Sequence, residues 1–232
     1  MNDAVAEADH VESLQEAETP NLFESWEWVA PGIMLIKDAF SWGPDAIQQA
    51  EKLAKEGTAA EWKQTLVYTA TPEGRLGHAS PDRTCETISI STTPELKDLD
   101  TRVFETAKGS GERYMREQEY ALFNQDSGYD LLRYGPTQRF VLHVDCKPNA
   151  HSMTSTGLPT SQRQLSWLAY LNDNYKGGEV SFPAHGVSLR PPAGSVLMFP
   201  SQFSYPHEAK PVVSGVRYVT ASWFFWVEPT RG

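Results

Sequence analysis

The sequence predicts a mainly β domain, an all-β barrel or jelly roll, with helices from its N-terminal half packed on one outer face. Its C-terminal half contains short apolar, β-branched or aromatic segments separated by clusters of Gly, Pro, Asn and Ser, which is typical of many short strands. These segments are 129–134, 140–145, 164–171, 178–182, 195–199 and 217–227. The chain has 232 residues, 40% of them hydrophobic, so it can bury one sizeable core without being split in two.

The N-terminal region divides into an acidic tail and the start of the domain. Residues 1–20 contain six acidic side chains and neither Lys nor Arg, which is typical of a disordered segment. We therefore predict a disordered acidic tail over residues 1–22 and a single domain over residues 23–232. The domain begins with a turn at Pro31-Gly32 and an apolar strand over Ile33–Ile36.

Two regions have the pattern of helices. Ser41–Glu56 has a proline near its start, apolar residues at helical spacing, and Gly57 just after its end, so it predicts a helix that covers one face of a sheet. Residues 94–120 also carry apolar residues at helical spacing. Gly109 and Gly111 lie in the middle of this region, so either one interrupted helix or two consecutive helices fit it.

A long segment rich in turn-forming residues lies between two predicted strands, 62–68 and 86–91. Its central part, residues 69–82, reads TATPEGRLGHASPD, and we expect its prolines and glycines to prevent regular structure. Loops of this length inside a compact domain are usually functional or disordered. We predict a mobile lid that orders over a substrate; the alternative is a disordered surface insertion.

Charge and cysteine content exclude several functional classes. The formal net charge is -10 and the sequence pI is near 5.1, which argues against nucleic acid or an anionic membrane surface as a partner. The two cysteines, Cys85 and Cys146, lack zinc-site spacing, so a reducing compartment is expected, and we predict the cytosol. No apolar run approaches the roughly 20 residues that cross a bilayer, and the acidic N-terminus is unlike a signal peptide.

One half of a metal site is encoded by His143-Val144-Asp145, at the end of the 140–145 segment. In an extended strand, residues two apart project to the same side, so both polar side chains could reach one ion. His207 is the best candidate for a third ligand, because an apolar, aromatic run containing Arg217 follows it. Two imidazoles and one carboxylate form the facial triad of non-haem iron(II) oxygenases.

The order of motifs along the chain resembles the prolyl 4-hydroxylase-like branch of the 2-oxoglutarate- and iron(II)-dependent dioxygenases. The resemblance is close over residues 129–227 and looser over 26–128, where Arg83-Thr84 is similar to the Arg-Thr at the substrate-loop exit of that family. The gap of ten residues between His207 and Arg217 adds to its specificity. The residues that carry the resemblance are Tyr134, His143-Val144-Asp145, Tyr170-Leu171-Asn172, Gly177-Gly178-Glu179, Pro191–Phe199, His207, Arg217 and Trp223.

The resemblance implies a double-stranded β-helix, which is a jelly roll, and a set of cofactors. Iron(II) would be the metal, 2-oxoglutarate and dioxygen the cosubstrates, and ascorbate an accessory reductant. Arg217 would bind the distal carboxylate of 2-oxoglutarate, because a guanidinium pairs bidentately with a carboxylate. The implied iron ligands are His143, Asp145 and His207, and the residues beside the cosubstrate are Arg217, Tyr170 and Tyr134.

The implied reaction is a hydroxylation. One oxygen atom of dioxygen would enter an unactivated C–H bond of an amino acid or a peptidyl, prolyl-type substrate, with release of succinate and carbon dioxide. Arg75, Arg83 and Trp223 are the candidate substrate contacts. The two arginines would suit a substrate carboxylate, which favours a free amino acid or a chain terminus. Phe140 and Thr137 depart from the pattern of peptidyl-prolyl hydroxylases, which often have tyrosine and glycine there.

Two other classes of function remain open at this point. A cupin-like jelly roll could use a similar ligand set to hold another metal without 2-oxoglutarate, and a non-catalytic interaction domain could keep the fold. A buried cation ten residues after the last ligand distinguishes an oxygenase that uses 2-oxoglutarate from the cupin-like alternative, because a site without a 2-oxo acid has no need of it. The alternative to a cosubstrate-binding role is that Arg217 forms a structural ion pair with Glu228. The sequence does not specify the oligomeric state.

Overall fold

Two antiparallel sheets face each other and enclose the interior of the domain. The computed structural model describes residues 23–57, 61–71, 74–146 and 162–228. The predicted tail over residues 1–22 therefore lies outside the described residues. Within them the predicted mainly β jelly roll is confirmed.

Strands and helices are numbered separately in chain order. The strands are β1 Trp26–Ala30, β2 Ile33–Ile36, β3 Lys63–Gln64, β4 Val67–Thr71, β5 Gly74–His78, β6 Glu86–Ser89, β7 Gln125–Asp126, β8 Asp130–Tyr134, β9 Phe140–His143, β10 Arg163–Tyr170, β11 Lys176–Gly177, β12 Val180–Phe182, β13 Val187–Leu189, β14 Ser195–Pro200, β15 His207–Ala209, β16 Val212–Ser214 and β17 Arg217–Phe225. The helices are α1 Gly43–Lys55 and α2 Lys97–Glu117.

The larger sheet has the strand order β1-β2-β14-β10-β17-β8-β6-β3, and β7 pairs with β17. The smaller sheet has the order β13-β12-β15-β9, and two further strand pairs, β11-β16 and β4-β5, lie apart from both sheets. All strand pairs are antiparallel. The catalytic candidates lie on β8, β9, β10, β15 and β17, or just after them, so the facing strands of both sheets contribute to one site.

The central strands of the larger sheet are buried on both faces. In β2, Ile33 and Leu35 pack in the interior with residues of the smaller sheet, whereas Met34 and Ile36 pack against residues of both helices. Because no face of such a strand meets water, it has a continuous apolar run where a half-exposed strand would alternate. This explains the apolar sequences of β2 and β14, and it confirms the prediction that the N-terminal helices cover one outer face.

The two helices form as continuous elements. Helix α1 has proline in its first turn and Lys52 and Lys55 in its last, where positive charge is favourable. A short 3-10 turn over Pro94–Leu96 leads directly into α2, which runs uninterrupted through Gly109. A Cβ at Gly109 would overlap the ring of Phe23, so this glycine allows an aromatic side chain to pack on the helix. No helix among the described residues is long and apolar enough to span a membrane.

The prediction that prolines and glycines prevent regular structure in residues 69–82 was wrong. β4 and β5 form a hairpin in continuous register from Val67↔His78 to Thr71↔Gly74. Glycine weakens a strand but does not forbid it, and a two-stranded ribbon places little packing demand on its side chains. The predicted strand 62–68 is also divided, because β3 pairs with β6 whereas β4 pairs with β5.

Two tryptophans connect helix α2 to the rest of the core through hydrogen bonds. The indole N–H of Trp167 on β10 donates to Ser110 Oγ at 2.9 Å, and that of Trp42 donates to Thr106 Oγ1 at 3.0 Å. Ser110 and Thr106 lie one turn apart on α2, so both hydroxyls face the sheet. Both acceptors are buried, where an unpaired N–H is costly.

We expect Ser110→Ala to lower the free energy of unfolding by about 1–3 kcal/mol, because the Trp167 N–H loses its acceptor inside the core. Chemical denaturation followed by circular dichroism measures this change. Thr101→Ala is the matched control, since Thr101 lies on the same helix but is exposed, and its effect should stay within about 0.5 kcal/mol. Equal effects of the two substitutions would contradict the assigned role of the Trp167 bond.

Candidate active site

Two histidines meet across a pair of neighbouring strands. His143, the last residue of β9, lies directly opposite His207, the first residue of β15, and their ring centroids are 4.3 Å apart. Asp145 lies beside both, with Oδ1 3.4 Å from His143 Nε2 and Oδ2 3.6 Å from His207 Nε2. One ligand atom from each of the three lies within 4.8 Å of the others, so the structure brings the predicted triad together.

Asp145 does not reach this position by the route that the sequence suggested. β9 ends at His143, and Asp145 lies in a bend two residues later, so the alternation of an extended strand does not explain its direction. Three hydrogen bonds fix the bend: Ser166 Oγ donates to Asp145 Oδ2 at 2.6 Å, Arg163 Nη1 donates to the Asp145 carbonyl at 3.2 Å, and the Cys146 N–H donates to the Ser201 carbonyl at 2.8 Å.

The hydrogen bonds of the two histidines fit a role as metal ligands. His143 Nδ1 lies 2.8 Å from the Val141 carbonyl and His207 Nδ1 lies 3.1 Å from the Tyr205 carbonyl, and a carbonyl can only accept. Each Nδ1 therefore carries a proton, and the Nε2 of each ring is the atom that faces Asp145. A metal-ligating histidine typically donates its other ring N–H to a carbonyl in this way.

Burial and neighbouring groups shift the pKa values of His207 and Asp145. Burial lowers the pKa of His207 to about 4, so this imidazole is neutral at physiological pH. Burial by itself would raise the pKa of Asp145, but His207, His143 and Arg163 hold it well below its ordinary value. The three side chains are only 7 to 11% exposed, so an ion bound between them would be largely removed from bulk water.

Aromatic side chains enclose the two imidazoles. The Phe140 ring stacks on His143 with centroids 3.5 Å apart, and Phe199 and Phe182 lie 4.6 Å and 5.6 Å from His207. Such an apolar shell limits the rotation of the imidazole rings and excludes water from them.

Arg217 is buried in the same pocket without an anionic partner. It is 3% exposed, its Nη1 donates to the Gly178 carbonyl at 2.7 Å, and its guanidinium lies 4.0 Å from the ring centre of Tyr134, its cross-strand partner. Its Nε has no hydrogen-bond partner, and no ion pair involves Arg217 among the described residues, which include Glu228. A buried guanidinium with no carboxylate partner among the described residues is a favourable position for binding an anion.

A comparison with known proteins shows which family this part of the chain resembles. The model of the 2OG-Fe(II) oxygenase superfamily matches residues 129–225, which contain the triad and Arg217. Over these residues the chain is similar to the 2OG-Fe(II) oxygenase superfamily.

Relatives of the chain include the prolyl 4-hydroxylase subunit alpha-1 of Bos taurus and Homo sapiens, each 27% identical over 161 residues. These matches cover 62% of this chain and 30% of each relative, so the chain spans less than a third of their length. The probable prolyl 4-hydroxylase 9 of Arabidopsis thaliana is 29% identical over 117 residues, which cover 41% of this chain and 39% of the relative.

Solved structures with the same fold are also prolyl hydroxylases by name. A Pseudomonas putida prolyl-4-hydroxylase superposes with a TM-score of 0.58 at 16% identity, covering 85% of this chain and 94% of that one. The Trichoplax adhaerens prolyl hydroxylase, solved in complex with a hypoxia inducible factor oxygen degradation domain peptide fragment, has a TM-score of 0.57 at 19% identity, covering 84% and 83%. At these identities the likeness establishes the fold of the chain alone.

The two predicted tyrosines line the pocket of the triad with Arg217. Burial raises the pKa of Tyr170, although Arg217 opposes this shift. Burial also raises the pKa of Tyr134, with Cys85 adding to the increase. Both phenols therefore keep their protons at physiological pH and can donate hydrogen bonds to an anion beside Arg217.

Of the three candidate substrate contacts, the structure describes the side chains of two. Arg83 and Trp223 line the pocket with the triad, and neither Arg83 Nε nor Trp223 Nε1 has a hydrogen-bond partner among the described residues. Arg75 belongs to β5, paired with Ala70, but its side chain lies outside the described part of the structure.

Several residues of the site had no motif to identify them in the sequence. Arg163 stacks on Trp223, with its guanidinium 3.6 Å from the ring centre, and burial lowers its pKa to about 10. Burial raises the pKa of Asp130, which the neighbouring Arg83 opposes. Ser166, which donates to Asp145, also had no motif to identify it in the sequence. Isolated Ser, Asp and Arg residues in strands carry no spacing signal, so only the strand pairing identifies them.

A larger cleft, of about 910 Å³, lies elsewhere on the domain. It is lined mainly by aromatic and amide side chains, and among the described residues that line it there is no predicted site residue and no charged residue. We assign the active site to the pocket of the triad, because the converging ligand atoms and the buried Arg217 lie there.

Proposed function

We propose that this chain is a 2-oxoglutarate-dependent hydroxylase. It would insert one oxygen atom of dioxygen into an unactivated C–H bond of an amino acid or a peptidyl, prolyl-type substrate, and release succinate and carbon dioxide. The observation that carries the proposal is the combination, in one pocket, of three converging ligand atoms and a buried Arg217 that has no ion pair among the described residues.

His143, Asp145 and His207 would hold iron(II). When bound, iron(II) with 2-oxoglutarate and dioxygen supplies the oxidising chemistry, in which decarboxylation of the oxo acid provides the driving force for hydroxylation. The chain contributes neutral imidazoles held through their Nδ1 protons, an ionised carboxylate, and an aromatic enclosure that limits access of water. Ascorbate remains a prediction as an accessory reductant.

Arg217 would bind the distal carboxylate of 2-oxoglutarate. Its Nη1 is held by the Gly178 carbonyl and its plane by the Tyr134 ring, so the guanidinium is already oriented before an anion binds. Tyr134 and Tyr170 would donate further hydrogen bonds from neutral phenols. A cupin-like metal site without a 2-oxo acid gives no reason for this buried cation, so the oxygenase proposal accounts for more of the pocket.

The substrate would approach from the side of Arg83 and Trp223. Both present buried N–H groups without partners, so this wall of the pocket offers donors to a substrate oxygen. A carboxylate is the strongest acceptor for an arginine, which favours a free amino acid or a chain terminus over an internal peptide residue. For this chain we propose a small-molecule or peptide substrate, and neither nucleic acid nor a membrane as a partner.

The cytosol remains the predicted location. Cys85 and Cys146 lack the spacing of a zinc site or a disulfide scaffold in the sequence, which favours a reducing compartment.

The central test of the proposed function is a turnover screen. Purified protein with iron(II), ascorbate and 2-oxoglutarate is incubated with free amino acids and with proline-containing peptides. Succinate and a product heavier by one oxygen atom are then measured by mass spectrometry. We expect both from at least one substrate. Absence of succinate from all mixtures, with iron bound, would contradict the proposed reaction.

His143→Ala and His207→Ala should abolish iron(II) uptake and turnover, because each removes one of three ligands, while circular dichroism shows the β fold retained. The wild type should bind one iron(II) per chain in anaerobic equilibrium dialysis. His185→Ala is the control, since His185 lies outside the triad, stacked on Tyr205. Iron-dependent succinate formation by both ligand variants would show that the metal binds elsewhere.

Arg217→Ala should raise the Kd of 2-oxoglutarate at least tenfold, because charge-assisted hydrogen bonds contribute about 1.5–3 kcal/mol each. Arg217→Lys should have a milder effect, since lysine keeps the charge but loses the bidentate geometry. Titration of the metal-loaded protein measures both values. The exposed Arg139 gives the matched control Arg139→Ala. A wild-type Kd in Arg217→Ala would exclude Arg217 as the cosubstrate ligand.

We also propose that the β4–β5 hairpin closes over the bound substrate. Val67 and His78 are cross-strand partners, so removal of residues 68–77 and closure with a short glycine turn should leave the rest of the fold intact. This variant should still bind iron(II) and 2-oxoglutarate but form succinate without hydroxylated product, because an open site uncouples the two halves of the reaction. Unchanged coupling would mean that the hairpin is not a lid.

A further inference from the structure

Each residue of the triad has a hydrogen bond that fixes its orientation. Among the described residues, the partners of the two histidines are backbone carbonyls, whereas the partner of the Asp145 carboxylate is a side chain. His143 and His207 are held through Nδ1 by the backbone carbonyls of Val141 and Tyr205. The Asp145 carboxylate is held by the Ser166 hydroxyl at 2.6 Å. A substitution can therefore remove the outer contact of the carboxylate while leaving its backbone geometry in place.

A second hydroxyl supports the first. Ser201 Oγ lies 2.8 Å from Ser166 Oγ, and both serines are 1% exposed. A hydroxyl has one proton to donate, and the ionised Asp145 can only accept. The Ser166 hydroxyl therefore donates its proton to Asp145, so Ser201 must be the donor in its hydrogen bond with Ser166. The two hydroxyls form a short relay that ends on one carboxylate oxygen, and each bond of such a chain polarises the next.

The strands fix the position of this relay. Ser166 lies on β10 opposite Phe199 of β14 and Trp223 of β17, so it is in the centre of the larger sheet. Ser201 follows β14 directly, and its N–H donates to the Gln164 carbonyl at 3.1 Å while its own carbonyl accepts from the Cys146 N–H at 2.8 Å. The relay therefore joins two sheet strands to the bend that carries the carboxylate.

We propose that Ser166, supported by Ser201, is a positioning residue that holds the Asp145 carboxylate through Oδ2 in its orientation toward the two histidines. This inference rests on the proposed function, since it requires Asp145 to be a metal ligand. Outer contacts of this kind typically change metal affinity by about 10- to 100-fold when removed.

Cobalt(II) is a suitable probe, titrated into the metal-free, full-length protein without 2-oxoglutarate and followed by its visible absorption. Ser166→Ala should weaken cobalt(II) binding by about 10- to 100-fold. Ser166→Thr retains the hydroxyl and should restore most of the affinity. Ser222→Ala is the matched control, because Ser222 is fully buried on the neighbouring strand β17 and its hydroxyl has no partner among the described residues.

The comparison of variants separates the possible failures. Wild-type affinity in Ser166→Ala, or an affinity of Ser166→Thr as low as that of Ser166→Ala, overturns the role of the hydroxyl. His143→Ala serves as the reference for the site itself: cobalt(II) binding that survives this substitution overturns the assignment of the triad, independently of the serine.

Ser201→Ala provides a second variant that keeps the direct bond to Asp145. It should show a smaller loss of cobalt(II) affinity than Ser166→Ala, because only the support of the Ser166 hydroxyl is removed. Circular dichroism confirms that each variant is folded before titration. If Ser166→Ala does not fold, wild-type affinity in a folded Ser201→Ala overturns the relay.

Discussion

The register between β9 and β15 is the constraint on which the whole site depends. It places His143 opposite His207 on neighbouring antiparallel strands, close enough for two imidazoles to share one ion. A shift of one residue would turn one of the two side chains to the other face of the sheet and separate them. Aromatic packing of Phe140 and Phe199 against the imidazoles makes such a shift costly, so core packing and the metal site enforce the same register.

The larger sheet supports the site by being covered on both faces. Helices α1 and α2 bury its outer side, where Trp167 is hydrogen-bonded to α2, and this leaves the inner side free to present polar groups to the pocket. Arg217 and Ser166 are buried inner-face residues of this kind. A guanidinium in such a position is unfavourable in the empty protein, and this cost is offset only when an anion binds.

The sequence predicted the fold class, the triad and Arg217 because these have patterns that survive without coordinates: short strands between turn residues, two histidines with an intervening carboxylate, and a fixed gap to the arginine. It did not predict the β4–β5 hairpin, because glycine and proline content describes local preference and not strand pairing. It placed Asp145 on a strand, whereas hydrogen bonds from Ser166 and Arg163 fix it in a bend. Long-range contacts of single polar residues leave no periodic signal.

The distribution of charge around the pocket bears on the substrate. The chain as a whole is acidic, with a formal net charge of -10, yet Arg83, Arg163 and Arg217 gather in or beside the pocket, where Asp130, Asp145 and Glu208 are the neighbouring carboxylates. Three guanidinium groups therefore face three carboxylates, and the charges of iron(II) and of the two carboxylates of 2-oxoglutarate would cancel each other. Net charge therefore does not select the substrate, and the choice depends on the direction of individual hydrogen-bond donors. The unpartnered Arg83 Nε is where the pocket offers a hydrogen bond to a substrate oxygen.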